Sequence, residues 1–154
     1  MRSSILAFVS VTALLSLMIG TGIVHEIQNI NYHLPVNIKF NLLTEPAKKQ
    51  VECLAQNIYF EAMNEPKEGQ VAVAMVTLNR LASGNYADNI CDVVKQKTGH
   101  TCQFSWVCMP QFVNRKDDIK GTVIYSEILQ LAVAIVFNYG TMKDSTNGAT
   151  YYHA

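Results

Sequence analysis

Glu61 is the residue whose type and surroundings best suit acid–base chemistry. It stands in the segment Ile58-Tyr59-Phe60-Glu61-Ala62-Met63-Asn64-Glu65-Pro66, behind two aromatic residues and close to the end of a helical pattern. Partial burial disfavours the charged form of a carboxyl group. A glycosidase general acid needs this, because it must hold its proton near neutrality to protonate the leaving oxygen. From spacing alone, an ordinary helix glutamate near a turn is the more frequent case.

A glycosidase that uses two carboxyl groups would need a partner for Glu61. Glu65 and Glu68 are close in sequence, but acids at helix starts are common because they cap backbone N–H groups and interact with the helix dipole. We predict that capping role for Glu68. Other candidates for the second carboxylate come later in the chain: Asp92, Asp117 and Asp118. Nothing in the sequence singles one of them out.

The segment from Cys102 to Cys108 places the only Trp of the chain between two cysteines. If these cysteines pair, they staple a loop that presents an amide, a hydroxyl and an indole: Gln103, Ser105 and Trp106. Such a set suits a sugar, whose apolar face stacks on an aromatic ring while its hydroxyl groups need partners. Burial of Trp106 in the core is an equally good interpretation. Tyr151 and Tyr152 would close the other side of such a cleft, or else pack at the chain end.

The chain contains four cysteines, Cys53, Cys91, Cys102 and Cys108. An even number of cysteines in an exported chain predicts disulfides, although the sequence leaves their connectivity open. A zinc site that includes His100 is the alternative. We favour disulfides, because the spacings lack a C-x-x-C pair and thiols bind metal best in reducing compartments. No metal ion or organic cofactor is otherwise indicated.

Hydrophobic periodicity predicts a helix from Glu45 to Ala62, with Pro46 in the first turn, where a missing N–H costs nothing. Its apolar residues form one face: Val51, Leu54, Ala55, Ile58 and Ala62. At about 100° per residue, Glu61 falls about 20° outside this stripe. The pattern therefore predicts that Glu61 lies at the border of the core and not out in solvent.

A second helix follows almost at once. It is predicted to have Pro66 at its first helical position and to end at Ser83, with Gly84 as a left-handed cap. A short helix through Val94 comes next, with Asp88 as its predicted N-cap. These helices place the segment around Glu61 at a helix–helix junction.

The rest of the chain predicts one polar segment and one long helix. Residues 99–114 are aromatic, polar and rich in cysteine, which is typical of an irregular segment or a small hairpin. The last helix is predicted from about Thr122 to Asn138, with one inward face: Ile124, Ile128, Leu131, Ala132, Ile135 and Val136. The predicted fold class is therefore mainly α, with a small β contribution (α+β).

The N-terminus predicts export. Arg2 precedes an apolar run that carries no charge until Glu26, as in a secretory signal. The best candidate cleavage site is Gly20-Thr21-Gly22, and an uncut segment would be just long enough to span a bilayer. A buried core helix is the alternative. We predict a signal peptide or membrane anchor at residues 1–24, a linker at 25–44 and a catalytic domain at 45–154.

The net charge of the chain bears on whether it binds nucleic acid. The formal net charge is zero over 154 residues, which argues against nucleic acid, because its binders need a basic footprint. We expect a monomer in the periplasm or cell envelope, attached to the inner membrane if the N-terminal segment stays uncut.

Several motifs, in the order of the family, resemble those of SleB-type cell wall hydrolases, which include spore cortex-lytic enzymes. They are Leu54-Ala55-x-x-Ile58-Tyr59-Phe60-Glu61-Ala62-x-x-Glu65-Pro66-x-x-Gly69-Gln70-x-Ala72-Val73-Ala74, Leu78-Asn79-Arg80, Ile90-Cys91-Asp92-Val93-Val94, Cys102-Gln103-Phe104-Ser105-Trp106 and Gly148-Ala149-Thr150-Tyr151-Tyr152-His153. The similarity covers the chain from about Cys53 onward.

The resemblance implies a lysozyme-like helical fold and cleavage of the glycan strands of peptidoglycan. The family's catalytic glutamate is the first Glu of the E-A-x-x-E-P motif, which is Glu61 here. Enzymes of this kind resemble lytic transglycosylases, which act between MurNAc and GlcNAc with one carboxyl group. The muramic acid's own primary hydroxyl is then the nucleophile and closes an anhydro ring.

One departure from the family lies next to Glu61. Family members often have Arg-Gly after the catalytic Glu-Ala, where this chain has Met63 and Asn64. We expect Asn64 to replace Gly, because Asn tolerates a left-handed conformation. Two alternatives to a transglycosylase remain open: a hydrolytic muramidase with a second carboxylate, and a peptidoglycan-binding module without catalysis.

Overall fold

The computed structural model describes residues 38–151. The predicted export segment, residues 1–24, and Tyr152 lie outside the described residues. The α-helices are α1 (Glu45–Ala62), α2 (Lys67–Ser83), α3 (Ile90–Lys95), α4 (Pro110–Val113) and α5 (Val123–Asn138). One hairpin contains β1 (Lys97–Thr98) and β2 (Thr101–Cys102), and single 3-10 turns occur at Phe40–Leu42, Ser105–Cys108 and Asp118–Gly121. The prediction of a mainly helical fold is confirmed.

Helix α1 is the central element, and it has the predicted bounds. Pro46 lies in its first turn. The residues predicted to form its apolar face are all buried: Val51, Leu54, Ala55, Ile58 and Ala62. This face packs against α2, α3 and α5. Glu61 comes one residue before the helix ends and is half-buried, as its angular position predicts.

A buried amide connects α1 to two other elements. The side chain of Asn57 is fully buried. Its Nδ2 donates to Thr77 Oγ1 of α2 at 3.1 Å, and its Oδ1 accepts from Trp106 Nε1 at 2.9 Å. Because each buried polar group has a partner, this link fixes three segments relative to one another without leaving an unsatisfied donor.

The turn between α1 and α2 follows directly after Glu61. Helix α2 begins at Lys67, so Pro66 is its N-cap and not, as predicted, its first helical residue. The buried side chain of Gln70 donates from Nε2 to the Glu65 carbonyl at 3.2 Å. Gly69 allows a close approach here, because a Cβ at this position would lie 3.0 Å from Glu65 Cβ and would require Glu65 to shift. These contacts hold the turn that ends the helix of Glu61.

Asn64 does not take the left-handed conformation that we expected. Within residues 38–151, Asn147 is the non-glycine residue with a positive φ. The turn keeps its shape because the Glu65 N–H donates to the Ala62 carbonyl at 3.0 Å, which needs no left-handed residue at position 64. At the other end of α2, Gly84 has φ 68°, and the predicted left-handed cap is confirmed.

The short helix α3 is capped by a different residue from the one predicted. Asn89, and not Asp88, is its N-cap, because the Asp92 backbone N–H donates to Asn89 Oδ1 at 3.0 Å. The two residues are adjacent and both suit a cap, so composition does not separate them. A disulfide between Cys53 and Cys91 ties α3 to α1.

The polar segment after α3 contains a small hairpin, which is one of the two forms predicted for residues 99–114, and its first strand precedes that range. Strands β1 and β2 pair antiparallel, with Lys97 opposite Cys102 and Thr98 opposite Thr101. Gly99 in the connecting turn has φ 61°, a conformation that favours glycine. The hairpin leads directly into a second disulfide, Cys102–Cys108, which closes the loop that was expected only if these two cysteines paired.

Helix α5 buries a face that differs from the predicted one at its start. Ile124 is 49% exposed, whereas Tyr125 is 2% exposed. Ile128, Ala132 and Ile135 are buried as predicted. Because this helix is apolar on nearly every side, its periodicity defines the inward face poorly. None of the helices between residues 38 and 151 has the length and apolar character needed to cross a bilayer.

Part of the predicted linker packs on the domain. Within residues 25–44, the described part starts at Ile38 and contains the 3-10 turn Phe40–Leu42. Ile38, Phe40 and Leu43 pack against the core as partly buried residues. These residues therefore contribute to the folded unit.

Candidate active site

A cleft of about 440 Å³ opens beside the C-terminal end of α1, and we call it the active-site cleft. Its lining residues are Glu61, Arg80, Thr101, Cys102, Gln103, Phe104, Ser105 and Tyr151. Four of the residues predicted for the site are thus brought together from three distant parts of the chain. A volume of this size falls in the range of small-molecule sites.

Glu61 is the carboxylate of this cleft. Its Oε1 is shielded from solvent by the surrounding protein, while the residue as a whole is half-buried. Among the lining residues that the structure describes, no other one carries a carboxylate. An acid that is partly shielded at a cleft wall can exchange a proton with a bound substrate while it is held in place by its helix.

The other carboxylates considered as partners lie in different surroundings. Asp92 accepts from Asn89 Nδ2 at 2.6 Å within the cap of α3. Asp117 forms an ion pair with Lys120 at 3.3 Å. Neither Glu65 nor Asp118 is among the residues that line the cleft. Local contacts thus account for the positions of Asp92 and Asp117.

Trp106 lies in the core, which is one of its two predicted positions. It is 5% exposed, and its ring stacks on Phe60 with the centroids 4.7 Å apart. Its indole N–H donates to Asn57. Trp106 therefore packs against Phe60, the residue that precedes Glu61. It is absent from the described lining of the cleft.

The loop closed by Cys102 and Cys108 forms one wall of the active-site cleft. The Gln103 backbone N–H donates to the Gln96 carbonyl at 3.0 Å, and its side-chain Nε2 donates to Thr98 Oγ1 at 3.3 Å. Ser105 is exposed at the cleft. The disulfide and these two hydrogen bonds hold Gln103 and Ser105 on a short segment with little conformational freedom.

Arg80 is a lining residue to which the sequence assigned no role. Its side chain is 3% exposed, and its Nε donates to the Thr150 carbonyl at 2.7 Å. The guanidinium carbon lies 4.8 Å from the centroid of Phe104 and 5.5 Å from those of Tyr86 and Tyr151. Such cation–π contacts are favourable for a desolvated Arg. The motif Leu78-Asn79-Arg80 was the sequence feature that could have identified Arg80 as a residue of this cleft.

Asn79, the neighbour of Arg80, anchors the C-terminal loop. Its Nδ2 donates to Asp144 Oδ2 at 2.9 Å, to Thr146 Oγ1 at 3.1 Å and to the Ala149 carbonyl at 3.1 Å. Its Oδ1 accepts from the Tyr139 hydroxyl at 2.6 Å. One side chain of α2 thus organises a loop about 70 residues later in the sequence.

Asp144 organises the same loop from within. Its Oδ1 accepts from the Thr146 backbone N–H at 2.8 Å, and its Oδ2 accepts from the Gly148 N–H at 2.7 Å. Burial alone would raise the pKa of Asp144. The hydrogen bonds from Thr146, Asn79 and Gly148 outweigh it and lower the pKa from 3.8 to about 2. Asp144 and Asn79 thereby place Tyr151 at the cleft.

Tyr151 and Tyr86 form a pair at the end of the cleft. Tyr151 is 64% exposed, whereas Tyr86 is half-buried. A hydrogen bond with Tyr151 lowers the pKa of Tyr86 and raises the pKa of Tyr151. Both rings contact the Arg80 guanidinium, so the pair is held against α2.

Comparison with known sequences identifies a family. A model described as Cell Wall Hydrolase matches residues 64–154, a range that begins after Glu61. A spore cortex-lytic enzyme of Halalkalibacterium halodurans is 32% identical over 102 residues, which are 66% of this chain and 26% of that protein. No solved structure matches the chain significantly.

Two further spore cortex-lytic enzymes match a shorter stretch. Those of Oceanobacillus iheyensis and Bacillus subtilis are each 40% identical over 55 residues, which are 36% of this chain. The matched stretch is 20% of the first protein and 18% of the second. The chain thus spans about a quarter or less of the length of these curated relatives.

Proposed function

This chain belongs to the cell wall hydrolase family, and from that premise we propose that it cleaves the glycan strands of peptidoglycan, with Glu61 as its catalytic acid. The observation that carries the proposal is the position of Glu61 in the active-site cleft. It lies with Gln103, Ser105 and Tyr151, which offer an amide, a hydroxyl and a phenol to a sugar. The relatives named spore cortex-lytic enzymes support a substrate of this class.

The proposed reaction is that of a lytic transglycosylase acting between MurNAc and GlcNAc. Glu61 gives its proton to the glycosidic oxygen, the bond from that oxygen to C1 of MurNAc breaks, and positive charge develops on the sugar ring. Glu61, now a carboxylate, takes the proton of the MurNAc C6 hydroxyl. The oxygen of that hydroxyl bonds to C1, which leaves an anhydro end and restores protonated Glu61.

The absence of a second carboxylate from the described cleft lining supports this choice over a hydrolytic muramidase. A hydrolase of this bond needs a second carboxyl group, as nucleophile or as base for a water. A transglycosylase needs none, because its nucleophile belongs to the substrate.

The substrate contacts proposed for this cleft are Gln103, Ser105 and Tyr151, with Tyr152 following Tyr151 outside the described residues. We leave Trp106 out, because its burial favours a role in supporting Phe60. Arg80 acts as a positioning residue, since its guanidinium is enclosed by rings and holds the Thr150 carbonyl. A lysozyme-like arrangement of the helices stays part of the proposal.

Digestion of purified sacculi tests this function. The full-length chain should release anhydro-muropeptides, identified by mass, and Glu61→Gln should release none, because the amide cannot donate the required proton. Glu127→Gln, which changes an exposed glutamate on α5, should act like the wild type. Products with ordinary reducing ends would overturn the transglycosylase mechanism but would leave the catalytic role of Glu61 unchanged. Folded but inactive wild-type protein that binds sacculi would identify a binding module.

Export to the periplasm or cell envelope is proposed on two grounds. The predicted signal or anchor at residues 1–24 would direct the chain across the inner membrane. All four cysteines form disulfides, which form and persist in oxidising compartments. Peptidoglycan lies on that side of the membrane, so substrate and enzyme would meet there.

A further inference from the structure

The two disulfides differ in how easily a dissolved thiol reaches them. Cys53 and Cys91 are 7% and 3% exposed and belong to the hydrophobic core. Cys108 is exposed, and its partner Cys102 is half-buried in the wall of the active-site cleft. Thiol–disulfide exchange needs a thiolate to reach one of the two sulfur atoms. Of the two bridges, Cys102–Cys108 is therefore the one that offers access in the folded protein.

The hairpin places a positive charge beside the accessible bridge. Lys97 lies directly opposite Cys102 in the antiparallel pair, and opposite residues in such a pair have their Cβ atoms about 4.5–5.5 Å apart on one face. When a thiolate attacks Cys108 Sγ, Cys102 Sγ leaves as a thiolate. A neighbouring ammonium group stabilises this anion, which makes the bridge easier to open.

The same bridge joins the cleft wall to a segment that packs near Glu61. Cys102 lines the active-site cleft, and Cys108 comes just before α4. Phe112 of α4 packs on Phe60, with the ring centroids 5.5 Å apart, and Phe60 precedes Glu61 in α1. Opening the bridge therefore removes the covalent link between the cleft wall and the helix that supports the ring next to Glu61.

We propose that the Cys102–Cys108 bridge is a reversible exchange site for dithiols, and that its reduction lowers the activity of the active-site cleft. The link to activity rests on the proposed function, whereas the exchange chemistry does not. The core, with the Cys53–Cys91 bridge and the hydrogen bond from Trp106 to Asn57, keeps its contacts. Reduction then changes the cleft without unfolding the domain.

The exchange proceeds in two displacements. The first thiolate of the dithiol bonds to Cys108 Sγ, the bond between the two protein sulfurs breaks, and Cys102 leaves as a thiolate that takes up a proton. The second thiol of the dithiol loses its proton, displaces Cys108 as a thiolate and closes the disulfide of the reagent. Two electrons and two protons thus pass from the dithiol to the protein, and reoxidation reverses the step.

Thiol labelling of the native full-length protein tests the exchange site. After brief treatment with dithiothreitol and then N-ethylmaleimide, peptide masses should show label on Cys102 and Cys108, with Cys53 and Cys91 still paired. Reduction of the exposed bridge should be at least roughly tenfold faster, because attack on the buried bridge first needs a local opening of the core. Equal rates, or faster reduction of Cys53–Cys91, would overturn the proposal.

Lys97→Gln tests the assignment of Cys102 as the leaving group. It should slow reduction about two- to threefold, a modest effect because the ammonium group is exposed. Lys95→Gln, which changes an exposed lysine at the end of α3, is the matched control and should react like the wild type. Equal rates for the two variants would contradict this assignment.

Sacculus digestion tests the effect on the cleft. Reduced wild-type protein should release fragments several-fold more slowly and should regain its rate after reoxidation. Cys102→Ala/Cys108→Ala should have the same rate with and without dithiothreitol, because its remaining bridge is buried. An unchanged rate for the reduced wild type would overturn the link to activity. If labelling is selective but the oxidised protein does not cleave sacculi, the exchange site stands and the proposed function falls.

Discussion

Glu61 and Arg80 share a cleft, but their surroundings give them different tasks. Glu61 keeps part of its carboxyl group toward the cleft at a helix end. Arg80 is almost fully enclosed, with its Nε bonded to a carbonyl and three aromatic rings around its guanidinium. The Arg80 side chain orders the C-terminal segment, because its contacts with the Thr150 carbonyl and the Tyr151 ring exist only while that segment is in place.

The pH dependence of stability should report on Asp144. Its folded pKa of about 2 lies below the ordinary value of 3.8, so its stabilising effect is present above pH 3.8 and is lost as the pH falls toward 2. We expect Asp144→Asn to be less stable than the wild type at pH 7 and to approach it near pH 2. Calorimetric unfolding at pH 7, 4 and 2.5 measures this difference.

Asp88→Asn provides the control for that series, because Asp88 is an exposed aspartate in the connection between α2 and α3. It should follow the wild type at each pH. A stability gap for Asp144→Asn that stays constant from pH 7 to pH 2.5 would show that the loop does not depend on the ionised carboxylate.

The secondary-structure elements position the site through their ends. Helix α1 ends just after Glu61, and the Gly69–Gln70 pair of α2 fixes the turn that follows. The hairpin delivers Gln103, and the 3-10 turn Ser105–Cys108 delivers Ser105 and buries Trp106. The 3-10 turn Phe40–Leu42, near the start of the described chain, packs on α5, the last helix. This turn contributes to the core.

Phe40 and Leu42 offer a matched test of that contribution. Phe40 is packed against the core, whereas Leu42 is 74% exposed in the same turn. We expect Phe40→Ser to lower the free energy of unfolding by about 1–2 kcal/mol, for loss of partly buried apolar area, and Leu42→Ser to change it by less than about 0.5 kcal/mol. Urea denaturation of the full chain measures both. Equal losses would mean that this turn does not support the domain.

At the scale of the whole molecule, the active-site cleft is assembled from four separate stretches. They are the end of α1, the end of α2, the hairpin with its stapled loop, and the C-terminal segment that ends the described chain. One disulfide ties α3 to α1, and the other closes the loop at the cleft. The Cys53–Cys91 bridge therefore connects two helices of the domain, whereas the Cys102–Cys108 bridge constrains the loop that lines the cleft.

Removing each disulfide should separate stability from activity. The bridges span 38 and 6 residues, for which loop entropy predicts losses of about 4 and about 2 kcal/mol respectively. Cys53→Ala/Cys91→Ala should therefore unfold at the lower urea concentration. Cys102→Ala/Cys108→Ala should lose more of the proposed sacculus-cleaving activity per folded molecule, because Cys102 lines the cleft. The reverse order of either effect would contradict these roles.

The sequence by itself determined the main helices and indicated four of the residues that line the candidate cleft. The bounds of α1 and the cap at Gly84 followed from local hydrogen bonding and periodicity, which neighbouring residues define. The motifs selected Glu61, Gln103, Ser105 and Tyr151, and these line one cleft. A mainly helical fold is confirmed, whereas its lysozyme-like arrangement stays a prediction.

Only the tertiary structure decided which distant residues meet. It paired the cysteines, buried Trp106 against Phe60, and gave Arg80 its place behind Tyr86 and Tyr151. It also turned Tyr125 and not Ile124 inward on α5. Burial and pairing depend on the far side of each contact, which can lie 70 residues away, as for Asn79 and Ala149. Local spacing carries no information on that partner.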